Sequence, residues 1–293
     1  MARPSPQTDR VVMLIELLRA HPDQPLTLAD VTRRLEVNKS TCHAMLAALS
    51  GAGWLLRDPV RKTYRLGPAL VAVGRAAADG FPALDFAHAA MAQLSVALRL
   101  HCGALAVADD AVTVLDRIVE PRASGIPFRV GTAYPLRPPF GSAAVAWSDR
   151  RAVERWLSHL PDERRADHQA VLDATRARGY AVELLSAPVE SVRHVAALLG
   201  DTLGVAGAEP MRATLDRLVD VLAEQDEYLV VGIDPDRSYA VNALNAPVLG
   251  HDGTVNLVVS LTGFAGPLSG AEVESLGRRL VATTARLTAA LGG

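Results

Sequence analysis

Aromatic residues make up only 4% of the 293-residue chain, cysteine occurs twice, and lysine occurs only as Lys39 and Lys62. Two cysteines cannot build a disulfide framework, and their separation, Cys42 against Cys102, points to a reducing compartment. Cys42 reads as a small core hydrophobe, with a redox role kept as the alternative. No uncharged apolar run is long enough to span a bilayer, and MARPSPQTDR has no apolar stretch behind a basic start, so neither membrane insertion nor export is expected. Also missing are G-x-G-x-x-G, G-x-x-x-x-G-K-[ST], G-x-S-x-G and H-E-x-x-H. The eight histidines stand without ligand spacing, and the adjacent His101 and Cys102 suit a strand edge better than a metal site. No catalytic residue, metal or cofactor is expected, and an enzymatic activity would have to come from groups assembled in space.

What is present begins with length and apolar content. An apolar fraction of 49% over 293 residues supplies a substantial core and favours two domains. The net charge of -2 conceals an asymmetry. Residues 1–75 carry 11 Lys and Arg against 6 Asp and Glu, whereas residues 76–293 carry 19 against 26. A basic head on an acidic body suits a reader of nucleic acid joined to a domain that avoids phosphate.

Residues 27–67 carry the sharpest pattern. RVVMLIELLRA at 10–20 predicts a scaffold helix that stops at His21, because the residue before Pro22 is pushed out of the helical region. Thr27 and Asp30 form a capping-type start for a second helix that turns Leu28, Val31 and Leu35 inward. In a third helix, Cys42, Met45, Leu46 and Leu49 follow an i, i+3, i+4, i+7 stripe that faces a core. The other side shows Lys39, Ser40, Thr41, His43, Ala44 and Ala47, a slim polar surface suited to a groove of duplex DNA. Gly51 and Gly53 end this helix. Residues 54–57 and 63–66 then alternate around Asp58-Pro59, predicting a hairpin with Arg57, Arg61, Lys62 and Arg65 on its arms and tip. Helix, turn, helix and hairpin in that order form a winged helix-turn-helix, whose cations meet phosphate and whose third helix reads bases.

The remainder predicts an α+β domain. Strand-like runs fall at 103–108, 112–119, 180–185, 228–233, 239–249 and 254–263, with helical runs near 141–157, 162–178, 187–199, 210–225 and 270–290. His251-Asp252-Gly253 is a hairpin signal, and Ser269 with Glu272 is a capping box for the last helix.

The stretch LTLADVTRRLEVNKSTCHAMLAALSGAGWLLRDPVRKTYRLGPALVAVG, and later RARGYAVE and APVLGHDGTVNLVVSLTG, resemble the IclR family of bacterial transcriptional regulators. The resemblance implies an N-terminal winged helix-turn-helix joined to a C-terminal GAF-like mixed α/β effector domain. It places the DNA-binding domain at 1–67, a linker helix at 68–80, and an effector-binding and oligomerisation domain at 81–293. It further implies that Gly141 and Ser142 at a helix start, with Asn245, Ser260 and Thr262 on strands, hold a small carboxylate-bearing effector. Arg129 and Arg137 are candidates to pair with that carboxylate. Three departures stand out: Ala44 where family members often carry arginine, Ala243 where they often carry a small polar residue or cysteine, and an insertion at about 186–238 with an amphipathic segment from Met211 to Ala223. The expected partners are double-stranded DNA with a near-palindromic operator, a small molecule, and further copies of the chain in a homodimer or homotetramer. Leu70, Val71 and Gly74 on the linker helix offer the seam, and a cytoplasmic location is expected. The alternative reading is a ligand-independent DNA-binding module whose body only oligomerises.

Overall fold

The computed structural model describes residues 5–291 except Pro82, Asp109, Ile126 and the stretch 186–229, of which only Arg217, Val219 and Asp220 are included. The described residues form two units that divide between Gly80 and Phe81. The insertion and its segment Met211–Ala223 therefore lie largely outside the described residues.

In the first unit, α1 (Pro6–Ala20) buries Leu14, Leu17 and Leu18. It starts four residues earlier than the apolar pattern suggests, because Pro6 at its first turn carries no N–H to satisfy. A two-residue strand β1 (Leu26–Thr27) leads into α2 (Leu28–Leu35). The capping box is closed in both directions: the Asp30 N–H donates to Thr27 Oγ1 at 3.2 Å, and the Thr27 N–H donates to Asp30 Oδ2 at 3.0 Å. Bonding first to the Thr27 hydroxyl and then to its amide holds the Asp30 carboxyl below its ordinary value of 3.8. A lowered folded value means this stabilisation is full above about pH 4 and fades as acid protonates the carboxylate. Thr27→Ala is accordingly expected to cost the head about 1 kcal/mol near neutral pH. The gap between variant and wild type in urea midpoints should narrow as pH falls below 3.8.

Glu36 takes a left-handed conformation after α2, and α3 (Lys39–Gly51) follows with Asn38 as its cap. The wing consists of β2 (Leu55–Arg57) and β3 (Thr63–Leu66), paired Leu55 with Leu66 and Arg57 with Tyr64. β1 pairs on the other edge of β3, giving the order β1-β3-β2. One core joins Leu14, Leu17, Val31, Leu35, Cys42, Met45, Leu46, Leu55 and Tyr64, so helices and wing bury a common set of side chains. The linker helix α4 (Ala69–Ala78) closes this unit.

The second unit is built on a six-stranded antiparallel sheet, in the order β6 (Ala133–Pro135), β5 (Ala111–Ile118), β4 (His101–Ala108), β10 (Val255–Thr262), β9 (Val241–Leu249) and β7 (Ala181–Leu184). Alternation sorts its two faces. Cys102, Ala104, Ala106, Leu244, Ala246, Leu257, Val259 and Leu261 pack against α5 (Ala83–Leu98) and α9 (Gly270–Leu291). Leu105, Val114, Ala181 and Val258 lie on the opposite face with Ala143 and Ala144 of α6 (Ser142–Val145). Beyond α6 stand α7 (Arg150–Leu157) and α8 (Asp162–Arg178), where Trp156 packs with Val145, Ala146 and Leu172 and Trp156 Nε1 donates to the Phe140 carbonyl at 2.9 Å. A small ribbon of β8 (Ser238–Tyr239) and β11 (Leu268–Ser269) precedes α9. Ser269 and Glu272 cap α9 reciprocally, the Ser269 N–H donating to Glu272 Oε2 at 2.8 Å.

Three expectations need correction. The helix expected over 141–157 is two helices, broken at Trp147-Ser148-Asp149, because Asp149 bonds the Ala152 N–H and starts α7 afresh. The described part of the strand expected at 228–233 is irregular chain, and the run at 239–249 is divided between β8 and β9 at Ala240. The three-residue β6, at the edge of the sheet, lies in a stretch too short to alternate visibly.

Candidate functional site

The outward face of α3 is formed by Lys39, Ser40, His43, Ala44 and Ala47, all exposed, with Thr41 half-buried. Cys42 and Leu46 on the other side are fully buried, which fixes the helix's rotation and presents this polar face to solvent. Asn38, absent from the sequence reading, is what organises the helix start. Its Oδ1 accepts the Thr41 N–H at 2.8 Å and the Ser40 hydroxyl at 2.7 Å. The Ser40 donor is thereby spent on the cap, and its lone pairs remain for a donor on DNA. An Asn three residues before Thr41 is a legible cap signal, so this residue could have been found. On the wing, Arg57, Arg61, Lys62 and Arg65 are all exposed. The arrangement places four cations on a hairpin beside a helix whose N-terminal amides favour phosphate.

In the second unit, register brings the proposed polar residues together. Ser260 of β10 lies opposite Asn245 of β9 and Gly103 of β4, and Thr262 lies opposite Ala243 and His101. On β7, Ala181 continues the first row and Glu183 the second. Ser260 and Thr262 are 1% and 3% exposed, and neither hydroxyl has a hydrogen-bond partner among the described residues. Hydroxyls removed from water without partners cost free energy, and these two lie on one sheet face. Asn245 is less available than expected, since its Nδ2 donates to Glu183 Oε1 at 2.9 Å. His101 Nδ1 accepts the Glu120 N–H at 3.1 Å, which assigns the proton of a neutral ring to Nε2.

The remaining candidates divide. Gly141 has φ +83°, and α6, with Ser142 buried at its start, packs on β9 and β10. At four residues α6 has too little aligned backbone to act as an anion-attracting dipole, which withdraws that role from Gly141 and Ser142. Arg137 is engaged by Asp220 at 3.0 Å. Arg129 is half-buried in the loop before β6. Gly103 and Phe128 were missed. A Cβ on Gly103 would lie 2.6 Å from Phe128 Cδ2, so the ring rests directly on the strand backbone next to Ser260. Glycine inside a strand signals such a close approach, although it does not reveal what approaches. Arg117, opposite Gly103 on β5, donates to the Phe128 carbonyl and holds the loop that carries the ring.

Comparison with known proteins accords with both halves. Residues 7–59 match the IclR helix-turn-helix domain. The glycerol operon regulatory protein of Streptomyces griseus is 27% identical over 223 residues, covering 67% of this chain and 83% of that protein. The DNA-binding transcriptional repressor YiaJ of Escherichia coli is 32% identical over 88 residues, 30% of this chain and 31% of its own. Among solved structures, the IclR transcriptional regulator of Alicyclobacillus acidocaldarius superposes with a TM-score of 0.62 at 22% identity, over 99% of this chain and 100% of that one. The Thermotoga maritima IclR gives 0.64 at 14% identity, over 98% and 97%. The matched helices are those that project Lys39, Ser40 and His43, so the head is similar to the IclR helix-turn-helix domain, and the solved regulators share the fold of the chain.

Proposed function

We propose that the protein is a one-component regulator whose C-terminal unit senses a small, carboxylate-bearing metabolite and whose heads bind a near-palindromic operator as paired copies in the cytoplasm. In this reading the domains run 1–67, 68–80 and 81–293. The observation that carries the sensing role is the pair of buried, unpartnered hydroxyls of Ser260 and Thr262. A carboxylate supplies the acceptors such hydroxyls need. An IclR homolog from Microbacterium hydrocarbonoxydans, 17% identical with a TM-score of 0.59, was solved with 4-hydroxybenzoate, a molecule of this class. Bases are read by Ser40, Thr41, His43 and Ala44, with phosphate bound by Lys39 and the four wing cations. Copies pair through α4, which is apolar yet contains no buried residue; Val71 and Val73 are 61% and 47% exposed, and Leu70 and Gly74 lie on the same helix. A ligand acts by preferring one of two arrangements of the assembly.

Thermal-shift screening of the full chain against small organic acids, with 4-hydroxybenzoate and glycerol in the panel, tests the sensing role. A binder raises the melting temperature with concentration as RT ln(1 + [L]/Kd). Ser260→Ala and Thr262→Val are expected to remove that shift while leaving unliganded stability unchanged or raised, because each deletes an unsatisfied buried hydroxyl. A panel in which only glycerol binds refutes the carboxylate, and one without binders refutes the sensor. Sequencing of DNA fragments retained by the purified protein tests the operator half.

A further inference from the structure

An acidic residue stands in the middle of the cationic wing. Asp58 follows Arg57 and is two residues from exposed Val60 and three from Arg61. Charge alone makes it a liability, since a carboxylate among groups that meet phosphate repels the same phosphate. Its geometry shows another use. Asp58 Oδ1 accepts two backbone donors at once, the Val60 N–H at 2.8 Å and the Arg61 N–H at 2.9 Å. The Asp58 N–H donates in turn to the Thr63 carbonyl at 2.8 Å, so the residue ties the tip to itself and to the returning strand. Lys62 completes the turn at φ +54°, a conformation disfavoured for a residue with a side chain. The product is a closed tip with Val60 outermost, 86% exposed, and Arg61 and Lys62 at its sides. Those amide bonds, Arg61's first, hold the Asp58 carboxyl below its ordinary value, so the acceptor stays ionised under all ordinary conditions.

We propose that Asp58 is the positioning residue of the wing, closing the tip so that Val60 meets a groove wall and Arg61 and Lys62 meet phosphate. The inference rests on the wing being a DNA contact. An exposed valine at the tip has the character of the apolar contacts that proteins make in the minor groove. Held by two amide bonds, the tip loses little conformational freedom on binding, which is how preorganisation strengthens association.

The test sets charge against geometry, because they predict opposite signs. Binding of wild type, Asp58→Ala and Asp58→Asn to mixed-sequence duplex is followed by fluorescence anisotropy from dilute to moderate salt, using the full chain. Asp58→Ala removes a negative charge yet is expected to bind about fivefold more weakly, the worth of roughly one hydrogen bond. Its log-affinity against log-salt slope should become shallower by about 0.9, one phosphate contact. Asp58→Asn keeps the acceptor oxygen and is expected to bind at least as tightly as wild type at an unchanged slope. Equal or tighter binding by Asp58→Ala overturns the proposal, as does an Asp58→Asn defect as deep as that of Asp58→Ala. Should either variant melt early, amide exchange at Val60 and Arg61 decides: selective acceleration in Asp58→Ala supports the closed tip, and unchanged rates overturn it. Wild type that ignores duplex even in dilute buffer overturns the DNA reading itself, a failure seen in the wild-type arm alone.

Discussion

Gly67→Ala is expected to abolish DNA binding and to destabilise the head by about 3 kcal/mol, the upper end of the usual overpacking cost, because the atoms it meets cannot rotate away. A Cβ there would lie 2.3 Å from the Gly53 carbonyl oxygen, 2.8 Å from the Trp54 carbonyl carbon and 2.9 Å from the Leu55 nitrogen. All three are backbone atoms, so no rotamer change relieves the clash. They sit where α3 gives way to the wing, and the Gly67 N–H donates to the Trp54 carbonyl at 2.6 Å across the same junction. Moving the chain aside would break that bond and draw β3 away from Leu55, which is buried in the head's core. Gly51→Ala is the control, since nothing lies within 4 Å of its Cβ position. Urea denaturation and duplex binding measured on both variants decide, and an alanine at 67 with wild-type affinity would show that the junction is looser than described.

The second large effect is electrostatic. Combining Arg57→Ala, Arg61→Ala and Arg65→Ala with Lys62→Gly, chosen because φ +54° suits glycine, removes the wing's cations without disturbing a core. All four side chains are exposed, and each change is expected to alter stability by no more than about 0.5 kcal/mol. If each cation meets a phosphate, the salt slope becomes shallower by about 3.6, at roughly 0.9 per contact. Titrating affinity from low to moderate salt measures it directly. An unchanged slope would move the phosphate grip elsewhere on the head.

Both effects concern the half of the chain whose sequence speaks most plainly. The stripe of Cys42, Met45 and Leu46 fixes the rotation of α3, and the Thr27 and Asp30 box fixes the start of α2, because helix periodicity and caps are local rules. β1 escaped because two residues are too few to alternate. On the ligand side, Ser260 and Thr262 were legible as residues of one strand face. That Asn245 is tied to Glu183, that Phe128 rests on Gly103, and that Ala243 lies between Thr262 and Glu183 depend on strand order and register. Those pairings join positions from 19 to 62 residues apart in the chain, and no local pattern encodes them.

The chain's two thiols have a consequence for its chemistry in the cell. Cys42 and Cys102 are both unpaired and fully enclosed. Burial pushes both thiols up, that of Cys102 to about 12, so neither forms appreciable thiolate near neutrality. Only the thiolate attacks peroxide or exchanges with glutathione. Peroxide and glutathione thus find no ready thiolate at Cys42 or Cys102 while each unit stays folded.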